Sequence, residues 1–258
     1  MSMFKKMLAS VGIGSAKVDA RLFKDEVMPG DEISGEVHIF GGDVEQNIDE
    51  IYMYVVTYYE RESNDTKYKE ECLLLKHRVT DSFVIKPKEN RVVPFSFKLP
   101  YDTPLTMGRQ PVYLRTGLDI KVAMDPGDSD FINVKPHPLM TQILTALGNL
   151  DFQIYKVDCE YNHYLGRNYP FIQEFEFRPK GKYRDRLEEL EVIFYLSENE
   201  LEVLLQLDKR ARGFHGLLSE AFDLDERYAR IRFTDLTNPP STREIEQILL
   251  NTIDKNIR

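Results

Sequence analysis

The chain has 258 residues, 42% of them apolar and 30% charged, with a net charge of −9. That length supports one large domain or two ordinary ones with buried cores. The charge is split almost evenly, −4 over residues 1–136 and −5 over 137–258, so no basic excess is present to neutralise a nucleic-acid backbone. Fourteen Tyr and fifteen Phe without a single Trp favour strands. No apolar run reaches the length that spans a bilayer, and the N-terminus lacks the apolar core and cleavage site of a signal peptide. Cys72 and Cys159 are too few for a disulfide framework, which points to a cytoplasmic protein with reduced thiols.

Met3 to Leu8 is long enough for one or two amphipathic turns, read as a cap on the open end of a sheet sandwich. The alternative is a weak peripheral membrane contact through Phe4, Lys5, Lys6, Met7 and Leu8. Lys17 to Phe23 alternates as a first strand. Pro29-Gly30 then sets a tight type II turn, because proline fixes its own φ and glycine accepts a positive one. Beyond it Ile33, Gly35, Val37 and Ile39 fall on one side of an extended chain and Glu32, Ser34, Glu36 and His38 on the other. The segment reads as a strand at a sheet edge, with Gly35 marking the close approach of another backbone or a large ring.

Asn47 to Glu60 is β-branched and aromatic throughout and predicts a central strand. The charged stretch Glu60 to Glu71 predicts a solvated hairpin loop. Strands are expected at Cys72 to Val79, Asp81 to Ile85, Phe95 to Pro100, Val112 to Arg115, Leu118 to Met124 and Phe131 to Val134, with Thr116-Gly117 dividing two of them. Pro136-His137-Pro138 marks a domain boundary. Leu139, Met140, Ile143, Leu144 and Leu147 come next at helical spacing, with Gly148 as the stop, predicting a helix that stiffens the angle between two domains. Strands resume at Phe152 to Val157, Phe171 to Arg178, Leu190 to Leu196, Leu201 to Leu207 and Tyr228 to Phe233. The spacing of Leu201, Leu204, Leu205 and Asp208 also suits a helix. Phe214 to Leu224 reads as a loop with a short helical piece. Ser241 with Glu244 three residues on forms a capping box, and Ile245, Ile248, Leu249 and Ile253 make the apolar face of a terminal helix.

The fold class is therefore all-β, with two tandem β-sandwiches over 1–136 and 151–240, an inter-domain helix over 137–150 and a C-terminal amphipathic helix over 241–258. Catalytic motifs are missing. Gly12 to Lys17 lacks the spacing of a phosphate loop, and neither a Gly-x-Ser-x-Gly elbow nor a His-Glu-x-x-His pair occurs. Cys159 and His163 would share a strand face without a second ligand pair, and the acidic run Asp125 to Asp130 lacks a calcium loop's spacing. No catalytic, metal or cofactor site is expected. A metal-dependent enzyme with residues scattered in sequence stays as a minor alternative. The feature that stands out in an acidic chain is the basic stretch Arg178, Lys180, Lys182, Arg184 and Arg186, with Lys209-Arg210-Ala211-Arg212 behind it. It reads either as solvated hairpin tips or as a dock for acidic protein segments, phosphoryl groups or anionic lipid. Together with the outward row Glu32, Ser34, Glu36 and His38, it supplies the candidate partner-binding residues.

Met28 to Val37, Phe95-Ser96-Phe97-Lys98-Leu99-Pro100 and Phe131-Ile132-Asn133-Val134 come in the order and spacing of arrestin-like proteins, which they resemble. Lys6 to Lys17, Gly41-Gly42-Asp43-Val44-Glu45-Gln46 and the overall length resemble more narrowly the stage-zero sporulation-control protein M family of bacilli. The resemblance implies two arrestin-like sandwiches and a cytoplasmic regulator of sporulation without a catalytic centre, acting as a scaffold for other proteins; homodimerisation stays open. Two departures stand out. Pro239-Pro240 is succeeded by Ser241-Thr242 rather than completing Pro-Pro-x-Tyr, and no buried charged cluster of the kind that switches visual arrestins is evident.

Overall fold

The computed structural model describes residues 16–63, 66–118, 129–209 and 228–257. The expected cap or membrane contact at Phe4 to Leu8, the acidic run up to Asp128, Arg210 to Arg212 and Phe214 to Leu224 all lie outside those residues. The chain divides into two compact units. The first takes residues up to Tyr58, Glu71–Thr106 and Pro111–Val134; the second takes Tyr59–Glu70, Met107–Gln110 and Lys135 onward.

Apart from the Tyr59–Glu70 tip of β5 and β6, the first unit holds strands β1 (Lys17–Leu22), β2 (Glu26–Val27), β3 (Glu32–Phe40), β4 (Gln46–Ile48), β5 (Ile51–Ser63), β6 (Thr66–Thr80), β7 (Phe83–Ile85), β8 (Asn90–Lys98), β9 (Val112–Leu118), β10 (Ser129–Phe131) and β11 (Asn133–Val134). The turn before β3 forms as its residues dictate. Asp31 N–H donates to Met28 C=O at 3.0 Å, and Gly30 holds φ +88° with its α-carbon against the Tyr101 ring. One sheet has the order β1-β3-β8, and β10, β9 and β5 make a second, with β6 also paired to β5. Ile33, Val37 and Ile39 of the first and Met53, Val55 and Leu114 of the second are essentially fully buried. The sheets meet where His77 of β6 packs on Phe97 of β8, ring centroids 5.2 Å apart. A Cβ on Gly35 would lie 2.3 Å from Arg21 C=O and 2.8 Å from the Phe95 ring. Both close approaches expected at Gly35 are therefore present.

Two strands depart from the sequence reading. β9 runs unbroken through Thr116-Gly117, paired with β5 all the way from Val112 to Leu118. The charged stretch expected as a loop is mostly strand, since β5 continues to Ser63 and β6 starts at Thr66. Ladder hydrogen bonds can carry a hairpin past the last apolar residue, and here side chains reinforce it. Tyr58 donates to Glu71, Tyr59 to Glu70, and Arg61 pairs with Glu70 at 3.5 Å. Cys72 of β6 is buried, and burial pushes its thiol up to about 11, well away from a reactive thiolate.

The second unit holds α1 (Pro138–Asn149), β12 (Phe152–Tyr161), β13 (Phe171–Pro179), β14 (Leu187–Leu196), β15 (Leu201–Lys209), β16 (Tyr228–Phe233) and α2 (Thr242–Asn256). β12 to β16 form an antiparallel meander in chain order, so Leu201 to Leu207 is a strand, not a helix. Phe175, Phe177, Leu190, Val192, Val203 and Leu205 make one buried face. α1 packs within this unit, against α2 and β12. Its last residue is Asn149, and the residue that takes the left-handed conformation beyond it is Asp151 (φ +63°), not Gly148. α2 starts on the full capping box, Ser241 N–H donating to Glu244 Oε2 at 2.8 Å, and buries Ile245, Leu249 and Ile253. Two segments from earlier in the chain complete the unit. Tyr59 stacks on Phe171 at 5.4 Å, and Gly108 lies against Val157 C=O, where a Cβ would come within 2.9 Å.

Gly35→Ala should destabilise the first unit by about 1–3 kcal/mol, because neither a backbone carbonyl nor a packed ring can yield cheaply. Ser241→Ala should cost the second about 1 kcal/mol through the lost cap. Denaturant midpoints for each variant check both values, and an unchanged midpoint for Gly35→Ala would refute the packing account.

Candidate functional site

The outward row of β3 faces solvent as the alternation requires: Glu32 is exposed, and Ser34, Glu36 and His38 are half-buried. His38 Nε2 lies 3.1 Å from Glu36, and Ser96 of β8 donates to Glu32. The expected edge is not an edge, however. β3 is the central strand of its sheet, paired with β1 from Gly35 to Phe40 and with β8 along its whole length. Its ladder bonds are already made, so no partner strand can be added there. The row offers a face of side chains instead.

Arg178, Lys180, Lys182, Arg184 and Arg186 are all exposed, in the connection from the end of β13 to the start of β14. Buried Tyr183 anchors that connection: its ring stacks on Phe152 at 5.4 Å and its hydroxyl donates to Asp254 of α2 at 3.0 Å. Lys182 pairs with the same carboxylate at 2.7 Å, and Arg178 lies over the Tyr155 ring at 4.1 Å. The ion pair holds Asp254 below the usual carboxylate range and Lys182 above its own. Arg178 and Lys182 are thus engaged within the chain and Arg186 adds to the positive field on Asp254, while Lys180 and Arg184 extend from a loop fixed by an aromatic anchor. Cys159 is buried in β12 whereas His163 is exposed in the turn beyond it, beside Tyr164, so the two are not brought together on a strand face.

Strand register across β12 to β15 builds a nest of carboxylates that the sequence reading did not single out. Asp158 sits across from Glu174, Lys156 from Glu176, Glu176 from Glu191, and Glu189 from Asp208. Lys156 Nζ lies 2.7 Å from Asp158, 2.8 Å from Glu176 and 3.1 Å from Glu160. Burial lowers the Lys156 pKa, but the three carboxylates outweigh it and hold the ammonium firmly protonated. Tyr155 donates toward Glu176 at 2.5 Å and lies 2.6 Å from Glu189. Glu174 and Glu191 belong to the same nest, and both are pushed up: Glu174 to about 7 by burial and then by Glu160 and Glu176, Glu191 to about 8 by burial and then by Glu174 and Asp208. Oxygens of Glu160, Glu174 and Glu176, and of Glu60, Asp158 and Glu160, approach within 4.8 Å of one another.

These two raised carboxyls set the sign of the pH effect. Glu174 and Glu191 hold protons in the folded chain at pH values where they have lost them in the unfolded one. The folded state therefore binds more protons between about pH 4.5 and 8, and stability falls as pH rises through that window. Thermal midpoints should drop from pH 5 to pH 8, and Glu174→Gln with Glu191→Gln should flatten the drop. A slope that survives both substitutions would remove this assignment.

Comparison with known proteins covers nearly the whole chain. Residues 4–211 match the family described as SpoOM protein. The chain is 43% identical over 256 residues to the sporulation-control protein spo0M of Bacillus subtilis, covering 99% of each. It superposes on the crystal structure of Spo0M, sporulation control protein, from Bacillus subtilis with a TM-score of 0.81 at 40% identity, covering 95% of this chain and all of that one. Among the described residues no helix is long and apolar enough to cross a membrane. A chain that is mainly β-strand with two short helices among its described residues, and alike in sequence and in fold to that protein over nearly its whole length, belongs to the SpoOM protein family.

Proposed function

We propose that this protein is a non-enzymatic regulator of sporulation, working in the cytoplasm as an arrestin-like scaffold that binds other proteins. The sporulation role rests on similarity to a sporulation-control protein along almost the entire chain. The scaffold role is carried by one observation: an exposed basic connection, Arg178 to Arg186, held in shape by Tyr183 and by the Lys182–Asp254 pair, in a chain of net charge −9. Such a surface attracts an acidic partner over a distance set by salt screening, and a fixed loop loses little entropy on binding. The outward row Glu32, Ser34, Glu36 and His38 adds a mixed face at which side chains, not backbone, would be read.

Lys180 and Arg184 replaced in turn by a photocrosslinking residue should capture protein partners in cells at the onset of starvation. Reversing Arg178, Lys180, Arg184 and Arg186 to Glu, with Lys182 kept for its structural pair, should abolish those adducts and shift sporulation frequency toward that of a strain lacking the protein. Recovery of the same adducts from the reversed variant would refute the docking role. Transfer of the crosslinks to lipid would favour the membrane reading.

A further inference from the structure

A second charged constellation lies on the meander of the second unit, apart from the basic loop. Glu202 of β15 is buried, its side chain 5% exposed, and it sits directly across from Arg232 of β16 and from Tyr195 of β14. Three arginines converge on it. Arg167 Nη2 donates to Oε2 at 2.9 Å, Arg230 Nε lies 2.9 Å from Oε1, and Arg232 Nε lies 3.7 Å from Oε2 and 3.8 Å from Glu200. The Arg230 contact is close enough for an ion pair but is not aligned as a hydrogen bond, so Oε1 is buried without one. The arginine side chains themselves are 48–54% exposed. The Arg167 guanidinium lies over the Tyr195 ring, 3.7 Å from its centroid, and Tyr195 is fixed by donating to Leu165 C=O at 2.8 Å. Beneath Tyr195 is the apolar cluster of Ile172, Ile193 and Leu204.

Neutralising one buried carboxylate needs one cation, and three are supplied. The three guanidiniums carry roughly five N–H donors each, whereas Glu202 and Glu200 offer about four acceptor sites apiece. Among the described residues of the cluster three positive charges stand against two negative ones, a local excess of cation in an acidic chain. The arginines are also ordered before any ligand arrives, one by stacking and all by the carboxylate, which lowers the entropic cost of binding. Arginine and tyrosine on a firm apolar base are the residue types that dominate binding at protein interfaces. The geometry points to Arg167, Arg230 and Arg232, held by Glu202 and Tyr195, as a docking site for an acidic segment of a protein partner. Charge complementarity selects that occupant, with its carboxylates taking the guanidinium donors that Glu202 and Glu200 leave over.

Anisotropy of a fluorophore-labelled oligoglutamate peptide, titrated with the full chain at low ionic strength, tests the site. Binding should weaken by about tenfold or more in Arg230→Gln with Arg232→Gln. Because those changes strip a buried carboxylate of its partners, the same pair is repeated with Glu202→Gln, which removes that burden and should bind equally poorly. Glu202→Gln alone keeps an acceptor for the arginines but deletes a negative charge, so it should tighten binding severalfold; a purely structural cluster predicts no such gain. In a background of Lys180→Gln with Arg184→Gln the same loss on changing Arg230 and Arg232 should persist, whatever the basic loop itself binds, which separates the two sites. Disappearance of that loss in the loop-variant background would assign the peptide to the loop and overturn the inference. So would no peptide binding at all, or saturable binding through the arginines of inorganic phosphate or phosphatidylglycerol vesicles in its place.

Discussion

Charge held at partial burial on a sheet face is the constraint that gives the second unit its character. A carboxylate removed from water must be met by a cation, by donors or by a proton. All three answers are present on one stretch of sheet. Lys156 meets Asp158, Glu160 and Glu176; Tyr155 reaches Glu176 and Glu189; Glu174 and Glu191 take the proton. At the other end, Glu202 is met by three arginines at once. Between the two ends lie Ile172, Ile193 and Leu204, so an acidic region and a basic one are separated by apolar side chains. Ion pairs buried this far add little to stability when compared with apolar packing, but they fix which strand lies beside which. A one-residue slip between β15 and β16 would carry Arg230 and Arg232 to the opposite face from Glu202.

The first unit is organised by packing instead. Its central features are a turn at Gly30 whose positive φ favours glycine, and a strand position at Gly35 where a Cβ would crowd a backbone carbonyl and a ring. The same strand shows why a pattern of alternation must be separated from a place in the sheet. Ile33, Val37 and Ile39 face inward in either case, but β3 lies between β1 and β8, and period two carries no information about how many neighbours a strand has.

Local features are the ones legible in the residues alone. The Pro29-Gly30 turn, the inward face of β3, the Ser241–Glu244 box and the apolar stripe of α2 are each set by residues within a few positions of one another. The hairpin beyond Tyr59 escapes such a reading because a strand exposed on both faces carries no hydrophobic alternation; only ladder bonds and pairs such as Arg61–Glu70 define it. The carboxylate nest and the Glu202 cluster escape it for a different reason. Their members stand on separate strands, with Arg167 in the turn before β13, and a register is needed before Asp158, Glu174 and Glu191, or Glu202 and Arg232, become neighbours. The one available signal is acidic residues at every second position, Glu174 with Glu176 and Glu189 with Glu191, which alternation places on the same side as Ile172 and Ile193.

The second unit is discontinuous in sequence, and this limits how the molecule can be made. Tyr59–Glu70 and Met107–Gln110 leave the ribosome long before α1, yet they belong with the chain beyond Lys135. A truncated product starting at Lys135 would carry every strand of the meander and both helices while leaving Phe171 without the ring of Tyr59 and Val157 without the backbone of Gly108. A cut at that position therefore does not separate the two units. Translation has to deliver β12 and β13 before the early inserts find the neighbours they pack on.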